Sequence, residues 1–214
     1  MVVMKLSKKP RKPSIDIDMD EFILGVPDDV GTNSVRSKAG KKAKRKGGTF
    51  ERKIAKSLSN FWGTTFHRTP ASGGSPLKGD YNMAGDLCTS DEEWKFHVEC
   101  KNQEALAKFH TIFTSRKSAV WKWWKQTTEE CPSDQIPLLV FTKNRIPEFC
   151  MVPDYFWESV DWGTPKSLES SSYIRVGDVV VITLNRFLEM GKEKCLKALS
   201  LAIQEKKKAL GIRE

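Results

Sequence analysis

The sequence is poor in the side chains that bind transition metals. It has three His and five Cys in 214 residues, and no two Cys form a Cys-x-x-Cys pair. The usual zinc-binding and redox motifs are therefore excluded. An odd number of scattered Cys is typical of reduced, buried thiols rather than of a disulfide framework. Any metal is expected to be held by oxygen ligands.

Long hydrophobic runs are also lacking. The longest, residues 137–141 and 179–184, are strand-sized and fall far short of the roughly 20 apolar residues that a transmembrane helix needs. No apolar segment precedes the first prolines, so a secretory signal is not expected. The sequence predicts an intracellular protein with no membrane partner. Its 39% hydrophobic content is enough for the core of one domain with appendages.

Acidic residues are outnumbered by basic ones, and the excess lies near the N-terminus. The net charge is +9, and residues 1–46 contain twelve Lys and Arg against six Asp and Glu. We call residues 1–46 the basic arm; such a composition cannot bury enough apolar surface to fold alone, which predicts disorder. A basic arm on a nearly balanced body favours binding to phosphate backbones, and a solubilising tail is the alternative. The candidate DNA-binding residues at its end are Lys41, Lys42, Lys44, Arg45 and Lys46.

Within the basic arm, residues 15–24 are acidic and apolar together. This segment could dock on the body of the same chain, or residues 16–24 could bind a protein partner. The residues themselves favour neither.

Residues 94–101 have the alternation of a strand that buries one face. Glu99 and Lys101 therefore point to the same side, and Asp86 is expected at the end of a neighbouring strand, the first of a hairpin. Two carboxylates and an ammonium group in this arrangement suit a divalent metal and a positioned water at a phosphodiester. A surface ion pair is the simpler interpretation of Glu99 and Lys101 taken alone.

A helix is predicted to start at Gly47-Gly48. Phe50, Ile54, Leu58 and Phe61 recur at helical spacing, which indicates one apolar face. Glu51 lies beside this face, where it either serves an active site or complements the helix macrodipole.

A loop rich in Gly, Ser and Pro follows a short predicted strand at residues 66–68. Little side-chain bulk would let a nucleic-acid backbone come close, with Arg68 and Lys78 meeting phosphates; an ordinary surface loop is the alternative. Farther on, a helix is predicted from about Arg116 to Glu130, in which the tryptophans belong to the core and Gln126 could face either way.

Several separated motifs then occur in a characteristic order. They are Gly47-Gly48-x-Phe50-Glu51-Arg52, Arg68-Thr69-Pro70-Ala71-Ser72, Gly85-Asp86-Leu87, Val98-Glu99-Cys100-Lys101 and Pro137-Leu138-Leu139-Val140. This order resembles the PD-(D/E)xK nuclease superfamily and, within it, the archaeal and phage types of Holliday-junction resolvase. The resemblance covers about Gly47 to Pro153. Gly85 stands where the superfamily name has proline; Asp80 is a second candidate for the acidic position, but Asp86 leads directly into an apolar strand.

The resemblance implies an α/β, restriction-endonuclease-like core, with a mixed central β-sheet flanked by helices. The disordered basic N-terminal arm is predicted from composition and lies outside the resemblance. It implies Mg²⁺ or Mn²⁺ held by Asp86 and Glu99, with Glu51 and the backbone carbonyl of Cys100 as further ligands. Lys101 would orient or deprotonate the attacking water. Arg68 and Ser72 would belong to the substrate-side loop, and Gln126 and Asp80 are possible accessory residues.

The implied domains are the basic arm at 1–46, a nuclease core at 47–160 and a C-terminal extension of strands and helix at 161–214. The implied function is a metal-dependent endonuclease, a homodimer that resolves four-way DNA junctions in the cytoplasm or nucleoid of a prokaryotic or phage-infected cell. A restriction- or repair-type nuclease on linear duplex is the alternative enzyme. A DNA-binding protein that has kept the fold and lost catalysis is the alternative of another class, but it predicts the loss of an acidic ligand or of the lysine, and all are present.

Overall fold

A computed structural model of the chain describes residues 32–69, 85–103, 110–162 and 173–212. Its helices are α1 (Thr32–Trp62), α2 (Thr111–Thr114), α3 (Ala119–Glu130), α4 (Asp154–Glu158), α5 (Leu184–Leu188) and α6 (Lys192–Ala209). Its strands are β1 (His67–Arg68), β2 (Leu87–Cys88), β3 (Phe96–Asn102), β4 (Ile136–Thr142), β5 (Phe149–Pro153), β6 (Tyr173–Val176) and β7 (Val179–Thr183). The chain divides into two units, Met1–Gly40 and Lys41–Glu214. The described part of the first is the beginning of α1.

A five-stranded mixed sheet forms the centre of the second unit, in the order β3-β4-β5-β7-β6. β3 and β4 are parallel, and the other neighbouring pairs are antiparallel. A parallel pair needs a crossover connection, and here the connection contains α2 and α3. The predicted fold, a mixed sheet flanked by helices, is confirmed.

Both faces of this sheet are covered. Leu138 and Val140 of β4 lie in one apolar cluster with side chains of α1, α4, α5 and α6, whereas Leu139 and Phe141 lie in another with α2 and α3. A strand buried on both faces has a continuous apolar sequence, which is why the apolar run at residues 137–141 indicates β4.

The helix predicted to start at Gly47-Gly48 begins earlier, at Thr32. The intervening residues are rich in Lys, Arg and Ala, which have high helix propensity, and a Gly costs only about 1 kcal/mol in a helix relative to Ala. The predicted start is therefore too late, and residues 32–46 of the predicted disordered arm are helical. Residues 1–31, including the segment 16–24, lie outside the described residues.

The hairpin predicted for β2 and β3 is wrong. β2 pairs antiparallel with β1, and its approach to β3 is an isolated parallel bridge between Gly85 and Val98. At the other end of the chain, β7 lies between β5 and β6. β6 and β7, which both follow residue 160, are thus part of the central sheet. In the described part of the chain, no helix has both the length and the apolar content to span a membrane.

Candidate active site

Asp86 is placed by backbone contacts to β3. Its N–H donates to the Val98 carbonyl at 2.7 Å, and its carboxylate accepts the Cys100 N–H at 2.8 Å. Burial, and then the charges of Glu99 and Glu51, raise the pKa of Asp86 to about 6, although the Cys100 hydrogen bond and Lys101 oppose this shift. Burial and the neighbouring carboxylates therefore make the charged form of Asp86 less favourable.

Gly85 makes this approach of Asp86 to β3 sterically allowed. Its φ is +88°, and a Cβ on it would lie 2.4 Å from the Val98 carbonyl oxygen. Proline fixes φ near −65°, so it does not fit this backbone. The departure from the superfamily name at this position thus has a local structural reason.

Glu99 and Lys101 point to the same side of β3, as their spacing predicts, and form an ion pair. Glu99 is 5% exposed. Burial alone lowers the pKa of Lys101, but the hydrogen bond and charge of Glu99, with the charge of Asp86, raise it above its ordinary value. Lys101 is therefore an ammonium group at neutral pH. The mostly buried position distinguishes this pair from the exposed ion pairs that contribute little.

Glu51 reaches the same site from α1. It is largely buried and pairs with Arg68 of β1, while its charge contributes to the raised pKa of Asp86. A Cβ on Gly48 would lie 3.3 Å from the Arg68 guanidinium. The glycine therefore leaves room for the cation that positions Glu51.

A cavity of about 490 Å³ joins Glu51, Asp86 and Lys101, and we call it the catalytic cavity. Its lining comprises Ala43, Lys46, Gly47, Glu51, Asp86, Cys100, Lys101, Asn102 and Gln103. The carboxylates of Glu51 and Asp86 provide the hard oxygen ligands that Mg²⁺ and Mn²⁺ prefer. Glu99, whose charge acts on Asp86, adds a third. The donor set therefore fits the metal that the motifs imply.

Some of the other predicted site residues lie on α1, and others lie outside the described residues. Lys44, Arg45 and Lys46 lie on α1, the first two exposed and Lys46 half-buried. Lys41 and Lys42 belong to the same helix, but their side chains are not among those described. Ser72, Lys78 and Asp80 lie outside the described residues.

Gln126 is exposed on α3, where its amide donates to Glu130 at 3.0 Å. Glu130 forms, with His97 and Glu99, a group whose candidate ligand atoms all lie within 4.8 Å of one another. His97 is 2% exposed, and neither of its ring nitrogens has a hydrogen-bond partner among the described residues. Burial, aided by Lys206, lowers the pKa of His97, with Glu130 acting against it. Sequence reasoning missed His97 as a possible ligand, although its alternation with Glu99 was a usable signal.

A second cavity, of about 500 Å³, adjoins the first, and we call it the basic cavity. Arg45, Lys46 and Lys53 of α1 line one part of it, and the turn between β4 and β5 lines another. That turn contributes Lys143, Asn144 and Arg145. The sequence gives no local signal that connects residues 143–145 to α1.

Comparison with known proteins gave one family. The family described as "Phage putative PDDEXK endonuclease" matches residues 42–197, well over half of the chain. No curated protein matches, and neither does any solved structure. The matched segment begins in α1, contains the lining residues of the catalytic cavity, and ends in α6.

Proposed function

We propose that this chain, which belongs to the phage putative PDDEXK endonuclease family, is a Mg²⁺- or Mn²⁺-dependent DNA endonuclease that resolves four-way junctions. The observation that carries the enzymatic part is the convergence of Glu51, Asp86 and Lys101 on one cavity, with Glu99 paired to Lys101. These groups come from α1, the turn before β2, and β3. Their meeting is what phosphodiester hydrolysis requires.

Asp86 and Glu99 would hold the metal, with Glu51 and the Cys100 carbonyl as additional oxygen ligands. A divalent cation there makes water more acidic and offsets the charge that grows on the scissile phosphate. The raised pKa of Asp86 in the cation-free protein supports this assignment, since crowded carboxylates favour a bound cation.

Lys101 acts as a positioned ammonium group in this proposal. Glu99 pairs with its Nζ and, together with the charge of Asp86, keeps it protonated. Such a group orients the attacking water and donates hydrogen bonds to phosphate oxygens. Since the environment stabilises the charged form, we favour orientation over deprotonation of the water by Lys101.

The branched substrate and the homodimer rest on the likeness of the ordered motifs to junction resolvases. Resolution needs two symmetric nicks, and one chain supplies one set of Asp86, Glu99 and Lys101. A restriction- or repair-type enzyme on linear duplex would use the same groups. A phage endonuclease of either type would act in the cytoplasm or nucleoid of an infected cell.

The test is a cleavage panel of labelled four-way junction, Y-fork, linear duplex and single strand, each with Mg²⁺, Mn²⁺ or EDTA. We expect metal-dependent cutting with a preference for the junction. Cutting should fall by orders of magnitude in Asp86→Asn, Glu99→Gln and Lys101→Ala, while DNA binding persists. Asp134→Asn is the control, because Asp134 is exposed and lines neither cavity. Binding without cutting in any metal would favour the catalytically silent class.

Metal binding separates the proposed ligand set from the His97 group, because both sets contain Glu99. Titration with Mn²⁺, followed by electron paramagnetic resonance, should show weakened binding in Asp86→Asn and unchanged binding in Glu130→Gln. The reverse result would move the metal centre to His97, Glu99 and Glu130.

A further inference from the structure

We infer that the basic cavity binds the phosphate backbone of the scissile strand beside the bond that is cut, with Arg145 as its main phosphate ligand. This inference rests on the proposed function and adds a binding element of its own. It concerns the β4–β5 turn, which lies outside the ordered motifs of the catalytic site.

Charge is the first support. The cavity lining includes five cationic side chains and one carboxylate, Glu148. Glu148 pairs with Lys53, so the lining keeps a strong positive excess. The cations that line it are Arg45, Lys46, Lys53, Lys143 and Arg145. Clefts of one sign of charge attract and hold the opposite charge, and for phosphate backbones this attraction is independent of base sequence.

Position is the second support. The basic cavity and the catalytic cavity share Lys46 and Asn102. Asn102 follows Lys101 directly on β3. A strand whose scissile phosphate lies at Lys101 therefore passes Asn102 and Lys46 to bring a neighbouring phosphate into the basic cavity.

The backbone of Arg145 is the third support. Its φ is +66°, and no other residue except glycine has a positive φ in the described part of the chain. A bulky side chain in the left-handed region is strained, and such strain concentrates at ligand-binding sites. Glycine would adopt this turn without strain.

Arg145 is also exposed and forms no ion pair with a described residue. Its guanidinium group therefore remains available to a ligand. The planar group donates two parallel hydrogen bonds to a phosphate. The turn thus presents the guanidinium group of Arg145 to a phosphate at the cost of a strained backbone. Glycine at this position would form the same turn without that strain.

The experiment measures binding without cutting, with a fluorescent duplex in EDTA across a series of salt concentrations. Arg145→Gly should weaken binding by roughly five- to tenfold and reduce the log-log salt slope by about 0.9, the value for one lost phosphate contact. The melting temperature should stay the same or rise, because glycine relieves the strain. Arg145→Lys should keep the slope and recover part of the affinity.

Lys197→Gly is the control, since Lys197 is exposed and lines neither cavity. Unchanged affinity and slope in Arg145→Gly would overturn the inference, as would an equal loss in Lys197→Gly. A wild-type protein that never cuts, together with weaker binding in Arg145→Gly, would refute the proposed function and leave the phosphate site standing. Binding of an acidic peptide in competition with duplex, equally impaired by Arg145→Gly, would instead assign the cavity to a protein partner.

Discussion

Ionisation of the Asp86 carboxyl group is costly in the metal-free protein. Its pKa of about 6 compares with an ordinary value of 3.8, so the folded state binds more protons than the unfolded state between these values. Stability conferred by the protonated form is present at low pH and is lost as pH rises from about 4 to about 6. A cation at the site would offset this loss.

We therefore expect Asp86→Asn to stabilise the metal-free protein at pH 8 by on the order of 2 kcal/mol, and to have almost no effect near pH 4. Urea unfolding in EDTA at both pH values measures this difference. Asp134→Asn, the exposed control, should change stability little at either pH. An equal gain in stability at both pH values would show that ionisation of Asp86 does not destabilise the folded protein.

Glu51 has two interpretations from sequence, and its surroundings favour the active site. It is largely buried, pairs with Arg68, and acts on the charge of Asp86. Glu51→Gln should lower turnover at least tenfold with little change in melting temperature. Glu148→Gln, which breaks the Lys53 pair beside the basic cavity, tests whether loss of any ion pair to α1 has the same effect. An active Glu51→Gln enzyme that loses only roughly 0.3–1 kcal/mol would mean that Glu51 serves the helix end.

The turn before β2 is an element whose geometry depends on one glycine. A Cβ on Gly85 would collide with the Val98 carbonyl, whereas Gly63, also at positive φ, has nothing within 4 Å. Both Gly85→Ala and Gly63→Ala should lose stability, by about 1 kcal/mol or more from backbone strain. Cleavage should fall by more than tenfold in Gly85→Ala only, because Asp86 is displaced. Comparable activity in the two variants would show that the turn tolerates this displacement.

Helix α1 contributes to both cavities, so the predicted end of the basic arm at residue 46 falls within the catalytic site. Ala43 and Lys46 line the catalytic cavity. We expect a truncation after Gly40 to keep metal-dependent cutting, and one after Lys46 to lose most of it. Cleavage and salt-dependent binding of both truncations measure this. Full activity without residues 1–46 would show that the end of α1 is dispensable.

Element positions were largely predictable, whereas their pairings were not. Apolar runs and period-2 alternation locate β3, β4 and β7 because burial acts locally on each strand. The insertion of β7 between β5 and β6 depends on contacts between distant segments. The basic cavity was missed for the same reason, since residues 143–145 meet α1 only in the folded chain.

At the scale of the whole molecule, a second copy would bind where apolar side chains remain exposed. The large apolar side chains of α3 are buried. Leu201, midway along α6, and Leu210, just beyond its last residue, remain 54% and 56% exposed. Among the described residues, the second half of α6 is therefore a better candidate for a dimer contact than α3.

We expect a homodimer, since a junction needs two nicks and an isologous pair repeats the single site across a two-fold axis. Leu201→Glu should shift the protein to a monomer, because a buried charge at a symmetric contact faces its own copy. Sizing by light scattering, with junction and duplex of equal length in competition at fixed salt, tests both parts. The monomeric variant should keep nicking while losing paired cuts, because each chain retains Asp86, Glu99 and Lys101. A wild-type monomer on and off DNA, or equal cutting of both substrates, would favour the linear-duplex nuclease and leave the metal chemistry unaffected.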